Sequence, residues 1–348
     1  MTLDLPLIWA GILAIAVLLY VLLDGFDLGV GALFALATPK ERDVMTASIA
    51  PVWDGNETWL IVAATILFGA FPLVYATVVS AFYLPVILML LALILRGVAF
   101  EYRGKAKPFM RRVWDAGFIG GSYVAPFVQG TLVGSLVLEL PMDGVHFTGG
   151  PLFWVHPLAL SCGVGLCIGY AMIAACWLVG KTRGDAREFG YRVLPGLAIA
   201  LLIFLALALA LSLSYHLHVM GRWAERPALA LFPAAALLAA AGLAWGWKTR
   251  RDGLLFPCGA VIFAAAFGTL AGSFLPYMVP FSITMQQAAS PSSSLEFMFW
   301  GAGLIVMPIT LIYTGVVYFI FRGRVTDADG YGAEETEPAG AVPDQRRD

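Results

Sequence analysis

Long apolar stretches repeat almost from end to end of the chain. A helix needs about 20 apolar residues to cross the hydrocarbon core of a membrane. Nine stretches suit such a crossing, at residues 7–37, 50–72, 78–97, 116–138, 156–180, 193–217, 227–247, 254–277 and 296–321. Composition agrees, because 60% of the residues are hydrophobic and 13% are charged, against about 25% charged in soluble domains. The pattern predicts an all-α, polytopic transmembrane bundle of about nine spans.

Basic residues are concentrated in every second connection between the predicted spans. Of the 21 Lys and Arg residues, all but Arg222 and Arg226 fall on one side of the membrane. The positive-inside rule makes that side cytoplasmic. We therefore expect a periplasmic N-terminus and a cytoplasmic C-terminus. No basic residue precedes the first apolar run, and no cleavage pattern follows it, so we expect an uncleaved first span.

The composition changes abruptly after Arg324, to Asp, Glu, Gly and Pro with hardly any large apolar residue. Such a segment cannot bury a core. We therefore predict a transmembrane domain over residues 1–324 and a disordered cytoplasmic tail over residues 325–348. Spans one to four and five to eight can be grouped as two four-helix units followed by one helix, but the sequence contains no convincing repeated motif.

Two carboxylates interrupt the first apolar run. Asp24 and Asp27 are three residues apart and therefore share a helix face. At 1.5 Å per residue, Asp24 lies roughly 25 Å from Leu7, in the cytoplasmic half of the membrane. An unpaired Asp deep in a span costs about 2.5–3.5 kcal/mol, and intramembrane acids usually mark an ion or proton route. The alternative is a capping role near a helix end, with Gly25 and Gly29 allowing close helix packing.

A second polar group begins the second predicted span, within residues 50–59. Asp54 and Glu57 are again three residues apart, and Asn56 and Thr58 add polar side chains. Acids in the first turn of a helix also interact favourably with its dipole, which is the structural alternative. Together with the two acids of the first span, these carboxylates crowd the cytoplasmic half of two sequential spans. That arrangement suits the entry of a proton pathway.

A third charged group ends the third predicted span on the same side. Arg96 is placed to neutralise one of the acids, and Glu101 follows in the same segment. Arg103, Lys105 and Lys107 are explained well by a role in setting membrane topology alone.

The histidines and cysteines argue against a cofactor held by this chain. A haem is normally clasped by residues in the middle of the membrane, but the four histidines lie near the outer ends of predicted spans: His146, His156, His216 and His218. The four cysteines lie in apolar stretches without CxxC spacing: Cys162, Cys167, Cys176 and Cys258. We therefore expect no catalytic residue, metal site, cofactor site or disulfide framework in this chain, and no phosphate-binding loop is present.

Several motifs resemble one known family. They are DGFDLGVG at residues 24–31, WDGNETW at 53–59, LRGVAFEYR at 95–103, PFVQG at 126–130, and the segment with Pro276, Tyr277 and Pro280. Together they make the chain similar to subunit II of cytochrome bd quinol oxidases, from about residue 5 to 324. Glu57 stands where many members have Gln, and the RGVAFE run differs from the more familiar RPVGFDYR. Both variants resemble the cyanide-insensitive branch of the family.

The resemblance implies two four-helix bundles with one peripheral helix, in the inner membrane of a bacterium. It implies a complex with a haem-bearing subunit I, which holds haems of b and d type, oxidises quinol near the outer face and reduces dioxygen to water. Subunit II is expected to stabilise the haem site and to help supply protons from the cytoplasm. A bound quinone and a small accessory subunit are further expectations, whereas nucleic acid is not an expected partner.

Carried onto this sequence, the resemblance makes Asp54 the strongest candidate for proton entry, with Glu57 beside it. Asp24 and Asp27 are the weaker members of the pathway. Two other functions stay open from the sequence. One is a proton-coupled secondary transporter, since paired acids in interrupted helices also suit coupled ion transport. The other is a purely structural or assembly subunit.

Overall fold

The computed structural model describes residues 4–215 and 218–326, and these are almost entirely helical. The first half of the chain contains α1 (Leu5–Leu33), α2 (Pro39–Ile49), α3 (Trp53–Ala70), α4 (Pro72–Ala81), α5 (Tyr83–Arg103) and α6 (Pro108–Val137). A short 3-10 turn, Phe34–Leu36, extends α1. An antiparallel hairpin of β1 (Met142–Asp143) and β2 (His146–Phe147) follows α6.

The second half begins with α7 (Pro157–Lys181), α8 (Asp185–Ser214), α9 (His218–Glu225), α10 (Leu231–Lys248) and α11 (Asp252–Phe274). A 3-10 turn, Pro227–Ala230, precedes α10. After a second hairpin of β3 (Tyr277–Val279) and β4 (Ile283–Thr284) come α12 (Met285–Ala288), α13 (Ser292–Met298) and α14 (Met307–Ile320). A π-helical turn, Phe299–Val306, joins α13 to α14.

The helices account for most of the predicted spans directly. Within residues 4–215 and 218–326, seven helical segments are long and apolar enough to cross a membrane, and the bent pair of α3 and α4 makes an eighth. The remaining predicted span corresponds to α6, which has 30 residues and packs between α5 and α7. Its glycines and polar side chains lower its hydropathy, so the count of nine is approximate.

The connection between the second and third predicted spans differs from the prediction. We expected one span over residues 50–72 and the next over 78–97. Instead α3 ends at Ala70, and α4 leaves it at an angle of 119°. Pro72 explains the break, because proline cannot donate the next helical hydrogen bond and disfavours helical backbone at Phe71 before it. The third span, α5, then begins at Tyr83 and continues to Arg103.

The sequence prediction also missed helix α2, which connects the first two spans. Thr38 and Glu41 form a capping box, in which each side chain accepts a hydrogen bond from the other residue's backbone N–H, at 3.3 and 2.7 Å. Such a box satisfies two backbone donors that a helix start otherwise leaves free. The helix has only 11 residues and is too polar to cross a membrane, so the pattern of apolar spans does not predict it.

The helices are grouped as the sequence and the resemblance predicted. Helix α1 packs against α3 and α6, and α6 packs against α5; in the second group α7 packs against α8 and α11, and α11 against α10. The two groups meet where α1 and α6 contact α7. Helix α14 contacts mainly the π-helical turn before it, so it is the peripheral helix. The result is two four-helix groups with one helix outside them.

A close approach of backbones joins the two groups. A Cβ atom added to Gly29 of α1 would lie 1.9 Å from the carbonyl oxygen of Tyr170 on α7. Only a glycine allows that separation, in the way that small residues let membrane helices pack closely. The contact fixes the height of α1, and therefore of its two carboxylates, against α7.

The predicted tail begins within the described residues. Val325 forms backbone hydrogen bonds with Lys181 (2.8 Å) and Arg183 (3.0 Å), next to the end of α7. Residues 327–348 of the predicted tail, and His216 among the histidines, lie outside the described residues.

Candidate functional site

A buried group of charged side chains lies where α1, α3 and α5 meet. Arg96 Nη1 lies 2.9 Å from Asp24 Oδ1 and 3.4 Å from Glu57 Oε2. Arg96 and Asp24 are almost wholly buried, whereas the side chain of Glu57 is 26% exposed. The expectation that Arg96 faces one of the acids therefore holds for Asp24, and Glu57 shares the same guanidinium. Three separate helices supply these three groups.

Asn56 connects the second acid of α1 to the peripheral helix. Its amide nitrogen donates to Asp27 Oδ2 at 2.7 Å and, more weakly, to the carbonyl oxygen of Leu23 at 3.4 Å. Its own carbonyl oxygen accepts from the hydroxyl of Tyr318 on α14 at 2.9 Å. The side-chain amide of Asn56 therefore links Tyr318 to Asp27 through two hydrogen bonds. Both Asn56 and Asp27 are fully buried.

The charges in this group do not balance. Three carboxyl groups, on Asp24, Asp27 and Glu57, are arranged around the guanidinium of Arg96. Neither oxygen of Asp24 receives a well-aligned hydrogen bond from a described protein donor, and the same is true of Asp27 Oδ1. A buried excess of negative charge is costly unless it is compensated by protons or by solvent. The group has the composition of a site that can take up and release protons.

A line of polar side chains continues from this group between α1, α6 and α7. Tyr20 lies one helical turn before Asp24, on the same face of α1. Gln129 donates to the Tyr20 hydroxyl at 2.6 Å, and the Tyr170 hydroxyl donates to Gln129 Oε1 at 3.2 Å. Gln129 belongs to the PFVQG motif, but the sequence alone gave it no role. Buried hydroxyl and amide groups joined in this way form a connected network.

The remaining predicted site residues lie at the surface of the chain. Asp54 and Thr58 are exposed on α3, and the Thr58 hydroxyl donates to the carbonyl oxygen of Asp54 at 3.0 Å. Glu101 is exposed on α5, away from the buried group. On α3, exposure therefore falls from Asp54 to the half-buried Glu57 one turn further along. The exposure of the carboxyl groups thus decreases from Asp54 through Glu57 to Asp24, which is fully buried.

Arg103 corrects one prediction. A role in membrane topology alone would leave it in water, yet its side chain is 1% exposed. Its guanidinium contacts Asp115 of α6 at 2.5 Å and Asp43 of α2 at 2.9 Å. Arg42 also contacts Asp115, at 2.9 Å, so these ion pairs tie α2, α5 and α6 together. Lys105 and Lys107 are exposed, as a topological role requires.

Several of these contacts could not be predicted from local sequence patterns. Tyr318, Tyr20, Asp43 and Asp115 take part in buried networks but lie in no motif that we singled out. Tyr20 precedes Asp24 by four residues and Asp115 follows the basic run before the fourth span, which are the signals that helical periodicity offered. Tyr318 lies 262 residues from its partner Asn56, so no local pattern could have connected them.

Comparison with known proteins identifies the family. The profile of the family described as cytochrome bd terminal oxidase subunit II matches residues 5–321. The chain belongs to this family. The resemblance inferred from the motifs is therefore confirmed, while the assignment to the cyanide-insensitive branch stays a prediction.

Relatives of this subunit II chain match over nearly their whole length. A Haemophilus influenzae protein named probable cytochrome oxidase subunit 2 is 33% identical, over 92% of this chain and 95% of that protein. Subunit 2 of the Escherichia coli cytochrome bd-I ubiquinol oxidase is 30% identical, over 93% and 96% respectively. A chain in the structure of the bd oxidase from Geobacillus thermodenitrificans has the same fold, with a TM-score of 0.73 at 18% identity, covering 92% of this chain and 99% of that chain.

Membership of the family, with the apolar helices, makes the chain a multi-pass protein of the bacterial inner membrane, the second subunit of a bd-type oxidase with subunit I as its partner. Among the side chains that the structure describes, no three His, Cys, Asp or Glu residues are grouped to hold a metal ion. Imidazole nitrogen Nδ1 of His156 accepts from the backbone of Leu158 at the start of α7, and His146 lies in the first hairpin.

Proposed function

We propose that this chain delivers protons from the cytoplasm to the haem-bearing subunit of a quinol oxidase, and that it stabilises that subunit. Reduction of dioxygen to water consumes protons, which must cross a low-dielectric membrane to reach a buried site. Carboxyl groups are suited to the task because they bind and release protons within the membrane, where such acids usually mark proton relays.

The gradient of burial along one line of acids carries this proposal. Asp54 is exposed, Glu57 is partly buried and Asp24 is fully buried. We assign proton collection to Asp54, transfer to Glu57, and storage within the membrane to Asp24 and Asp27. Arg96 keeps the excess of carboxyl groups tolerable by supplying one positive charge between them.

The exposed face of α3 supports contact with the partner subunit. Asp54 and Thr58 present polar groups on this face, which also carries Thr65 and Phe68. A charged side chain facing lipid is costly, so a protein surface or water must cover Asp54. We propose that subunit I covers the deeper part of this face, at Thr65 and Phe68, while Asp54 stays open to cytoplasmic water. Protons would then enter at Asp54 and leave the chain where the two subunits meet.

The orientation follows from the distribution of basic residues. The ends of the helices that carry Arg103, Lys105 and Lys107 face the cytoplasm by the positive-inside rule, with the N-terminus in the periplasm. The group of acids then lies in the cytoplasmic half, on the side from which the protons are taken. Quinol oxidation at the outer face, as implied by the family, would release protons outside, so charge separation needs no pump.

Substitution of Asp54 tests the proposal. Asp54→Asn removes a titratable group but keeps the size of the side chain, and it should lower turnover at saturating quinol by at least about tenfold, as loss of a proton-transfer group does. The haem difference spectrum of the purified complex should stay unchanged. The matched control is Asp185→Asn. Asp185 is an exposed acid at the same membrane end and pairs weakly with Lys40, so this variant should keep wild-type turnover. Loss of the haem spectrum in Asp54→Asn would instead indicate a purely structural role.

A further inference from the structure

A cavity lies apart from the group of Asp24, Asp27 and Glu57, at the membrane end where the basic residues are concentrated. It has a volume of about 520 Å³ and is formed by the first turns of α8 and the last turn of α10. Three cations, Arg192, Lys248 and Arg250, line it, together with one acid, Glu188. If all four are ionised, the lining carries an excess of positive charge. Neither the proton pathway nor the family comparison gives this cavity a function.

The acid in the cavity is paired with two arginines, Arg187 outside the lining and Arg250 within it. Glu188 accepts from Arg187 at 2.6 Å, and both of its oxygens lie within 3.0 Å of Arg250 Nη1. Because both contacts with Arg250 use the same nitrogen, the other edge of that guanidinium can serve a ligand. Lys248 is exposed at the mouth of the cavity. The site is therefore electrostatically suited to an anion.

The walls of the cavity are held rigidly by aromatic residues. Trp247 donates its indole N–H to the carbonyl oxygen of Tyr191 at 3.1 Å, and the Tyr191 hydroxyl donates to Asp252 at 2.7 Å. The guanidinium of Arg250 lies over the Tyr191 ring, 4.1 Å from its centre. Tryptophan at a helix end is typical of the level of the lipid headgroups. The cations are thus presented at the depth where a phospholipid carries its phosphate.

The turn that ends α10 sets the position of Arg250 at the cavity. Its φ of +55° lies in the left-handed region, which favours glycine. The turn that ends α10 imposes this conformation, through hydrogen bonds from Arg250 to Trp247 (3.3 Å) and from Arg251 to Gly246 (2.9 Å). This is a common ending of a helix, here with arginine in the place that glycine usually takes, and it holds the Arg250 guanidinium over the Tyr191 ring at the cavity.

We propose that this cavity binds the phosphate headgroup of an anionic phospholipid. Basic pockets between transmembrane helices on the cytoplasmic side are suited to such headgroups. Arg250 and Lys248 contact the phosphate, and the lipid chains extend along the apolar faces of α8 and α10. Arg192 lies 3.7 Å from Glu41 of α2, so part of its charge is already offset by that acid. The inference does not depend on the proton pathway.

Native mass spectrometry of the oxidase complex tests this assignment. The complex is released from membranes containing equal amounts of phosphatidylglycerol and phosphatidylcholine, and the retained lipids are counted. Wild type should retain phosphatidylglycerol in preference to phosphatidylcholine. The double variant Lys248→Gln with Arg250→Gly should reduce that retention by about tenfold or more, while the haem spectrum stays unchanged.

The neighbouring Arg251 provides a matched control. It carries the same charge but lies over Trp245, 4.5 Å from the ring centre and outside the cavity lining. Arg251→Gln should retain as much phosphatidylglycerol as wild type. If the double variant fails to assemble, Arg250→Gly alone serves, because glycine accepts this backbone without strain, and it should lower retention by several-fold.

Three results would overturn the proposal. Equal retention by wild type and the cavity variants would mean that the cavity binds no anionic lipid. An equal loss in Arg251→Gln would mean that diffuse surface charge holds the lipid. Displacement of the retained lipid by millimolar inorganic phosphate, with comparable binding of phosphate alone in a calorimeter, would make the ligand a free anion.

Discussion

Arg96 on α5 lies 2.9 Å from Asp24 on α1, and both side chains are removed almost entirely from solvent. The contact joins two membrane-spanning helices that are 72 residues apart in the sequence. It is an ion pair within an environment where neither charge would be stable alone. The stability of the subunit and the positions of its acids therefore depend on the same arginine.

Removal of the arginine should be strongly destabilising. Arg96→Leu leaves buried carboxylates without their cation, and breaking such a pair costs about 3–5 kcal/mol. We expect a lower thermal unfolding midpoint and a lower yield of the assembled complex. The double variant Arg96→Leu with Asp24→Leu should recover part of the loss, because no unpaired charge is left at that pair. A double variant no more stable than the single one would contradict this explanation.

The close contact between α1 and α7 predicts a steric effect at Gly29. A methyl group there would overlap the carbonyl oxygen of Tyr170, and overpacking typically costs about 1–3 kcal/mol. Gly29→Ala should therefore lower the thermal midpoint of the complex. Gly11→Ala is the matched control on the same helix, because a Cβ at Gly11 meets nothing within 4 Å. Equal midpoints for the two variants would show that the helices separate without cost.

The hydrogen bond from the peripheral helix to Asn56 should be measurable. Tyr318→Phe removes only the hydroxyl that donates to Asn56 Oδ1, and leaving a buried acceptor without its donor costs about 1–3 kcal/mol. The exposed Tyr313 on the same helix gives the control, Tyr313→Phe, which should be close to neutral. We therefore expect a lower thermal unfolding midpoint for the Tyr318→Phe complex than for the Tyr313→Phe complex. Equal midpoints would mean that other contacts hold α14 in place.

Arg103 should behave as a buried ion pair and unlike its exposed neighbours. Arg103→Ala removes the cation that Asp115 and Asp43 share, but Arg42 still contacts Asp115 and Arg111 still contacts Asp43. We therefore expect the loss of charge-assisted hydrogen bonds, about 1.5–3 kcal/mol. Lys105→Ala removes the same charge from an exposed position two residues later and should have little effect. Both variants are compared by thermal unfolding of the purified complex. Similar midpoints would restore the topological explanation for Arg103.

The architecture was largely predictable from the sequence, because membrane spans depend on the length and apolarity of single segments. The bend at Phe71 and the helix after Thr38 were not, although Pro72 and the capping box gave local signals. The acids of the candidate site were identified because a charge in a span is costly wherever it lies. Their arrangement was not: Asp54 is exposed while Glu57 faces Arg96, and Tyr318 comes from a distant helix. Such details depend on packing between segments far apart in the chain.

The rate of proton uptake by the purified complex tests the central claim most directly. The fully reduced oxidase is mixed with dioxygen in weak buffer, and a pH-sensitive dye follows the protons removed from solution. We predict that Asp24→Asn, and separately Asp27→Asn, slow this uptake by at least about tenfold while the haem spectrum is unchanged. Uptake at the wild-type rate in both variants, with intact haems, would contradict a role for the buried carboxyl groups in proton delivery.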